Sequence, residues 1–200
     1  MAERTPVGKA IVIGGCMFSG KTDELIRRMK IYKQQPGLVV TLVRPERDTR
    51  SNGITTHTDS FGLRSSVDAL CCKDLEELRE ILFSSDVIGV DECQFLPGSA
   101  SIIRELVVKG KVVIVAMLTA TFEQKPWPNS PLSELMCFAK FKSTTAVCNF
   151  CGSPGATCSY RRNTSKELVQ VGAKDSYLAA CLACYDRVTA PPVMTEGVKD

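Results

Sequence analysis

The sequence lacks long apolar runs and any large excess of charge of one sign. No apolar stretch approaches the roughly 18 residues that a membrane-spanning helix needs, so the sequence predicts no membrane partner. The formal net charge is only +3, too small to indicate nucleic acid as a partner. The N-terminal residues contain no signal-peptide core, and no internal repeat is visible. We therefore expect a cytoplasmic location.

Histidine is scarce and cysteine is abundant. The single histidine, His57, lies in a polar segment, and we interpret it as a surface residue. Without a secretory signal, the ten cysteines favour metal binding over a disulfide framework wherever their spacing suits a ligand set. The cysteines at ligand spacing are Cys148, Cys151, Cys181 and Cys184. We expect the others to be buried small hydrophobic residues: Cys16, Cys71, Cys72, Cys93, Cys137 and Cys158.

The strongest motif lies at residues 15–22, where Gly-Cys-Met-Phe-Ser-Gly-Lys-Thr matches the phosphate-binding P-loop, G-x-x-x-x-G-K-[ST]. An apolar run predicts a strand before it, and apolar residues at helical spacing predict a helix after it. Backbone N–H groups would bind the phosphate oxygens, Lys21 would reach the β- and γ-phosphates, and Thr22 would hold Mg²⁺. The predicted nucleoside-triphosphate ligands are Gly15, Met17, Phe18, Ser19, Gly20, Lys21 and Thr22.

Two acidic residues, Asp91 and Glu92, close a short apolar strand at 87–90. In a P-loop protein an aspartate at this position helps to hold Mg²⁺. The adjacent carboxylate of Glu92 suits a general base that accepts a proton from an attacking hydroxyl or water. Two solvated acids at a strand end are the alternative, which the P-loop makes the weaker one.

Strand and helix patterns alternate along most of the chain. The predicted strands lie at 10–14, 38–43, 66–70, 87–90, 112–118 and 141–147. The predicted helices lie at 22–34, 73–83, 99–109 and around 132–139. This alternation predicts an α/β fold in which helices flank a parallel sheet, and the continuous apolar strands agree with burial of both sheet faces.

The composition changes at Cys148, where cysteine pairs and polar residues begin. We predict a P-loop domain at 1–147, a metal-binding domain at 148–190 and a disordered tail at 191–200. Two CxxC pairs fit a structural Cys₄ zinc site with no open position, although four unligated cysteines are the alternative. A hairpin with strands at 157–161 and 167–171 would separate the pairs, with Arg161 and Arg162 at its solvated tip.

Aromatic residues also lie in irregular segments, where rings could line a pocket for a flat base. These residues are Phe122, Trp127 and Tyr177. Taken singly, each is more often a core residue than a ligand-binding one.

In combination and order, these motifs resemble the cytosolic-type (type II) thymidine kinases. The resemblance runs from about residue 9 to residue 187, and Asp-Glu-x-Gln-Phe is its most specific run. The motifs that carry it are the P-loop, Asp-Thr-Arg at 48–50, Asp-Glu-Cys-Gln-Phe at 91–95, Thr-Phe-x-x-Lys-Pro at 121–126, the CxxC pairs, and Val171-Gly172 with Tyr177.

The resemblance implies a RecA-like P-loop NTPase fold with a small zinc-binding lasso domain. It implies transfer of the γ-phosphoryl of ATP to the 5′-hydroxyl of thymidine, giving dTMP and ADP, with deoxyuridine as a further substrate. The implied cofactors are ATP, Mg²⁺ and structural Zn²⁺. The resemblance also implies a homotetramer and feedback inhibition by dTTP.

By position, the resemblance assigns catalysis to Glu92 as the base, with Lys21 and Arg50. Nucleotide binding extends to Asp48, Arg50, Asp91 and Gln94, and Mg²⁺ binding falls to Thr22 and Asp91. The implied thymidine-binding residues, including the lasso, are Met17, Leu118, Phe122, Trp127, Leu168, Val169, Gln170, Val171, Gly172 and Tyr177. Cys93 stands where the family often has glycine, and its thiol beside the base is a candidate for oxidation.

Two other interpretations stay open at the level of sequence. One is a P-loop phosphotransferase or ATPase that acts on another nucleoside. The other is a zinc-ribbon module that binds nucleic acid or protein and is powered by nucleotide hydrolysis. That module predicts a basic stripe with interleaved aromatic residues, and no such stripe is evident in the sequence.

Overall fold

The computed structural model describes residues 7–46, 53–55, 66–165, 167–168 and 176–190. Its first strands are β1 (Lys9–Gly15), β2 (Val40–Pro45), β3 (Gly53–Thr55), β4 (Ser66–Asp68), β5 (Leu70–Cys72), β6 (Val87–Val90), β7 (Val112–Leu118) and β8 (Lys140–Thr144). Strands β3 and β4 pair with each other, and the other six form one sheet in the order β5-β2-β6-β7-β1-β8. All pairings within that sheet are parallel.

Helices cover both faces of this sheet, as the alternation of patterns predicts. They are α1 (Lys21–Lys33), α2 (Arg79–Ser84), α3 (Ser99–Val108) and α4 (Leu132–Leu135). Because successive side chains of a strand point to opposite faces, Ile114 of β7 packs with α1 while Val113 and Val115 pack with α2, α3 and α4. The α/β fold with a parallel sheet flanked by helices is therefore confirmed, and β7 is buried on both sides.

Some predicted boundaries are wrong. The helix expected at 73–83 is a 3₁₀ turn, Leu75–Leu78, followed by the short α2. The strand expected at 66–70 is split between β4 and β5. The sheet strand expected at 141–147 ends at Thr144, because the next residues, Ala146–Val147, form a strand that pairs outside the sheet.

A second lobe follows the sheet. It contains β9 (Ala146–Val147), β10 (Pro154–Ala156), β11 (Cys158–Arg161), β12 (Tyr177–Ala180) and α5 (Leu182–Thr189). Strand β11 pairs with β12, from Cys158 opposite Ala180 to Arg161 opposite Tyr177. Of the partner strand predicted at 167–171, residues 167 and 168 do not form a strand, and residues 169–171 lie outside the described residues. Ala179 and Ala180 of β12 are buried in the lobe. The tail predicted at 191–200 lies outside the described residues.

Within the described ranges, no helix combines the length and apolar character that crossing a membrane requires.

A cluster of charged residues fastens α1 to the edge strand β8. Glu24 accepts hydrogen bonds from Arg27 Nε at 2.8 Å, from Arg28 Nε at 2.7 Å and from Lys142 Nζ at 2.7 Å. These contacts, that of Arg27 above all, hold the pKa of Glu24 well below its usual range. The ionised carboxylate therefore stabilises the folded protein.

We expect Glu24→Gln to lower the melting temperature at neutral pH by about 2–4 °C, since the partners are partly exposed and such pairs contribute little individually. A group whose pKa is lowered by folding contributes its full stability above its unfolded pKa. The difference between the two proteins should therefore shrink as the pH falls below about 4. This difference in melting temperature is measured over a pH series by thermal unfolding, with circular dichroism as the signal. Glu80→Gln, at an exposed position, is the control. A difference that grows at low pH would contradict this role.

Candidate active site

The P-loop connects the end of β1 to the start of α1, at the carboxyl edge of the sheet. A Cβ at Gly15 would collide with the backbone oxygen of Thr144, and Gly20 adopts the left-handed conformation with φ 78° just before α1. Glycine is therefore required at both positions. Lys21 is buried and donates to the backbone oxygen of Cys16 at 2.7 Å, and Ser19 Oγ donates to the same oxygen at 2.8 Å.

The second lobe contacts the P-loop directly. The backbone N–H of Met17 donates to Ser159 Oγ of β11 at 3.0 Å, and the Cys16 thiol donates to the backbone oxygen of Ala156 at 3.3 Å. Cys16 is buried and packs in one apolar cluster with residues of the second lobe, including Ala156 and Cys148. The phosphate loop is thus held by packing and hydrogen bonds from both lobes.

Asp91 follows β6 and lies next to the first helical turn of α1. The Thr22 hydroxyl donates to the Asp91 carboxylate, at 3.2 Å from Oδ1 and 3.3 Å from Oδ2. Burial first, and then the negative charge of Glu92, raise the pKa of Asp91 to about 7. A hard divalent cation would favour its ionised form. The hydroxyl and carboxylate oxygens are ligands of the kind that Mg²⁺ prefers, so these residues fit a magnesium ion.

Gln94 orients the carboxylate of Glu92. Glu92 has a positive φ of 48°, a strained conformation for a residue other than glycine. The Gln94 amide nitrogen donates to Glu92 Oε2 at 2.5 Å, and its amide oxygen accepts the backbone N–H of Leu118 at 3.0 Å. Gln94 is 3% exposed. The buried Gln94 amide thus links the end of β7 to Glu92, which the sequence predicts to be the base.

Two of the predicted base-binding aromatic residues come together around a third side chain. The guanidinium of Arg161 lies 3.7 Å from the ring centroid of Phe122 and 5.1 Å from that of Tyr177. Tyr177 lies in β12 and not in an irregular segment as expected. Trp127 makes a different contact, with its ring edge-on to Phe95 at 5.3 Å between centroids.

The predicted metal ligands converge at one point of the second lobe. The Sγ atoms of Cys148, Cys151, Cys181 and Cys184 all lie within 4.8 Å of one another. Those of Cys151 and Cys181 are 3.8 Å apart. Zinc–sulfur bonds of about 2.3 Å in a tetrahedron place the sulfurs about 3.8 Å apart. The cluster therefore fits a tetrahedral metal ion with sulfur ligands, such as Zn²⁺.

The thiols of this cluster differ in their readiness to ionise. Hydrogen bonding from the backbone of Cys181 lowers the pKa of Cys148 to about 6, whereas burial, together with hydrogen bonds to the other thiols, raises that of Cys184 to about 12. Without a cation the cluster thus favours ionisation of one thiol over its neighbours. A bound dication would favour the thiolate form of all the ligands.

Other predictions about cysteines are partly wrong. Cys71 and Cys137 are exposed, not buried as expected, whereas Cys16, Cys72 and Cys158 are buried as expected. Cys93 is fully buried, and this burial raises the pKa of its thiol to about 12. Because the thiolate is the species that oxidants attack, the structure argues against an oxidisable Cys93.

Several implied site residues lie outside the described residues, and their roles stay predictions: Asp48, Arg50, Val169, Gln170, Val171 and Gly172. The prediction of a solvated Arg161 is wrong, since this residue is 5% exposed. Sequence reasoning also missed Ser159, which contacts the P-loop. Neither residue belongs to a motif, because the groups they contact are distant in sequence or belong to the backbone, so no local pattern could have identified them.

The fold and the site define the class first. A parallel sheet that carries a P-loop, with an aspartate on the Thr22 hydroxyl and a neighbouring glutamate, is typical of nucleoside-triphosphate-dependent enzymes. A family model described as thymidine kinase matches residues 8–185. The chain belongs to the thymidine kinase family.

Individual relatives agree with this assignment. The thymidine kinase of rabbit fibroma virus (strain Kasza) is 35% identical over 180 residues, covering 89% of this chain and 96% of that protein. Thymidine kinase 1 of Dictyostelium discoideum is 36% identical over 186 residues, covering 90% and 78%. The solved structure of the flagellar accessory protein FlaH from Methanocaldococcus jannaschii covers 74% of this chain and 76% of that one, with a TM-score of 0.46 and 15% identity, and it supports no functional conclusion.

Family membership confirms the resemblance stated from the sequence. The chain is an enzyme, a thymidine kinase, that phosphorylates thymidine with ATP as the donor to give dTMP. The alternative of a nucleic-acid or protein-binding module is therefore set aside.

Proposed function

We propose that the reaction takes place at the carboxyl edge of the sheet, with Glu92 as the base that accepts the proton of the 5′-hydroxyl of thymidine. The observation that carries this assignment is the position of Glu92 directly after Asp91, whose carboxylate accepts the hydrogen bond of the P-loop residue Thr22. Its support is the hydrogen bond of Thr22 to Asp91, together with the buried Gln94 amide on the Glu92 carboxylate.

Binding and positioning of the triphosphate fall to the P-loop. Backbone N–H groups at the start of α1 and the positive end of its dipole attract phosphate oxygens. Lys21 exchanges its hydrogen bond to the backbone oxygen of Cys16 for one to the β- and γ-phosphates. Thr22 and Asp91 would hold Mg²⁺, which would supply positive charge to neutralise the charge that develops on the phosphates. Asp48 and Arg50 complete the phosphate site by resemblance.

Proton transfer falls to Glu92. A base must lie within about 2.6–3.2 Å of the hydroxyl that it deprotonates. The Gln94 amide fixes the plane of the Glu92 carboxylate, and its anchor on the Leu118 backbone connects that plane to β7. In phosphoryl transfer, positioning and charge stabilisation contribute most of the rate, so we assign Gln94 to orientation of the base as well as to the nucleotide site.

Recognition of the thymine base falls to the junction of the two lobes. Leu118, at the end of β7, and Phe122 offer apolar contacts, with Met17 and Trp127 as further members by resemblance. Tyr177 and the lasso residues, Leu168, Val169, Gln170, Val171 and Gly172, complete this pocket. The Cys₄ cluster, which we assign to zinc, stabilises the lobe that carries Tyr177.

Further features follow from the family alone. We expect deoxyuridine to be a second substrate and dTTP to inhibit by occupying the substrate sites. We also expect a homotetramer in the cytoplasm. The division into a kinase domain at 1–147 and a lasso domain at 148–190 belongs to the same proposal.

A radiolabel transfer assay across deoxynucleosides tests this function. With γ-labelled ATP and Mg²⁺, we expect label on thymidine and on deoxyuridine, and little on the purine deoxynucleosides. ATP turnover should depend on the acceptor, and dTTP should suppress it. Label on purine deoxynucleosides alone, or turnover that responds to DNA and not to thymidine, would refute the proposal.

A further inference from the structure

We propose that Arg161 is a positioning residue for thymidine, because its buried guanidinium holds the Phe122 ring and both ends of segment 168–177 in place for the base. This role rests on the proposed function, in which Phe122, Leu168 and Tyr177 belong to the thymine pocket. It adds a residue that neither the motifs nor the proposed contacts with substrate include.

The hydrogen bonds of Arg161 reach both ends of that segment. Its Nη1 donates to the backbone oxygen of Ser165 at 3.1 Å and to that of Glu167. Its Nη2 donates to the backbone oxygen of Leu168 at 3.2 Å and to the Tyr177 hydroxyl. A single planar guanidinium thus binds the backbone oxygens of residues 165, 167 and 168 together with the hydroxyl of Tyr177.

The same guanidinium stacks on the aromatic ring that the family places against thymine. Its central carbon lies 3.7 Å from the Phe122 ring centroid, well inside the range of cation–π contact. The backbone oxygen of Phe122 accepts a hydrogen bond from the Tyr185 hydroxyl at 2.6 Å. The main chain of Phe122 is therefore held by α5 and its ring by β11, so the plane offered to a base is fixed.

The chemistry of arginine explains why this position favours it. The contacts given above are backbone oxygens, a hydroxyl and aromatic faces, all of them neutral groups. A buried cation stabilised in this way depends on several well-placed acceptors at once, and only the guanidinium offers donors in a rigid fork. Lysine would keep the charge and could lie over the ring, but its compact ammonium cannot reach along both ends of the segment.

The location of these contacts predicts a selective effect on the enzyme. The hydrogen bonds and ring contacts of Arg161 join residues of the proposed thymine pocket and the approach to the lasso, and none of them involves a P-loop residue. Loss of the fork should therefore weaken binding of thymidine without weakening binding of ATP.

The experiment compares Arg161→Lys and Arg161→Met with the wild-type enzyme. We expect both variants to raise the KM for thymidine roughly tenfold or more, as loss of charge-assisted hydrogen bonds does, with an unchanged KM for ATP. Arg162→Met is the matched control, since its side chain is exposed. Fluorescence of the single tryptophan gives thymidine affinity independently of turnover.

A double substitution separates positioning from general stability. If Arg161 acts through Phe122, Arg161→Met should raise the KM for thymidine much less in the Phe122→Leu enzyme than it does in the wild-type enzyme. Metal content and melting temperature are measured on every variant. If Arg161→Lys retains the metal and its KM for thymidine stays as high as that of Arg161→Met, the result supports a role for the forked guanidinium and not for the charge alone.

The role is overturned if both Arg161 variants keep the wild-type KM for thymidine. It is equally overturned if both lose their metal or fail to fold, since Arg161 would then serve only the stability of the lobe. These outcomes differ from failure of the proposed function. In that case the wild-type enzyme would not label thymidine, or Phe122→Leu would leave the KM for thymidine unchanged.

Discussion

Glu92→Gln is expected to bind ATP normally and to lose phosphoryl transfer by roughly 10²-fold or more, the usual contribution of a positioned general base. The amide has the shape of the carboxylate but cannot accept the proton of the 5′-hydroxyl. The surrounding structure should survive, since Gln94 can donate to an amide oxygen as it does to Glu92 Oε2. The loss should therefore appear in kcat, with little change in the KM for either substrate.

Single-turnover transfer from labelled ATP, together with calorimetric ATP binding, measures both halves of this prediction. Glu80→Gln, at an exposed position of α2, is the matched control and should be fully active. A Glu92→Gln enzyme with wild-type transfer would remove Glu92 from the role of base. A variant that no longer binds ATP would instead assign Glu92 to the nucleotide site.

Cys151→Ala is expected to release the bound metal and unfold the second lobe. Structural zinc contributes about 10–16 kcal/mol of apparent binding energy in small domains, comparable with the whole stability of a typical domain, about 5–15 kcal/mol. Cys151 is exposed, so truncation leaves no buried cavity and the effect reports on the metal. Thymidine binding should be lost, because Tyr177 lies in β12, four residues before Cys181 of the cysteine cluster.

Metal analysis by mass spectrometry, thermal unfolding and thymidine titration test this prediction. Cys137→Ala provides the control, since Cys137 is also exposed but lies outside the cluster. A strong chelator applied to the wild-type enzyme should reproduce the effect of the substitution. Unchanged metal content and melting temperature in Cys151→Ala would argue against a structural Cys₄ site.

The features that the sequence predicted well are those written in short stretches of chain. The P-loop needs glycines, Lys21 and Thr22 within a few residues, and the strand and helix around it have their own periodicity. The four cysteines that the structure brings together are equally local, because each CxxC pair lies within a single turn. The acid pair Asp91 and Glu92 could be placed because it closes an apolar strand.

The features that the sequence did not reveal depend on distant contacts. Strand β11 pairs with β12, which begins 16 residues after Arg161 and whose residues Ala179 and Ala180 are buried. Arg161 looked like a surface residue because charged residues seldom lie inside a protein. Its backbone acceptors leave no mark in the sequence, since any residue supplies a carbonyl group.

The hydrogen bonds of Met17 with Ser159 and of Cys16 with Ala156 join the P-loop directly to the second lobe. Replacement of the cysteine-rich lobe by that of a distant relative would therefore alter the phosphate cradle as well as the choice of nucleoside. A chimera of two members of this family should therefore take both sides of this contact, residues 16–17 and residues 156–159, from the same parent.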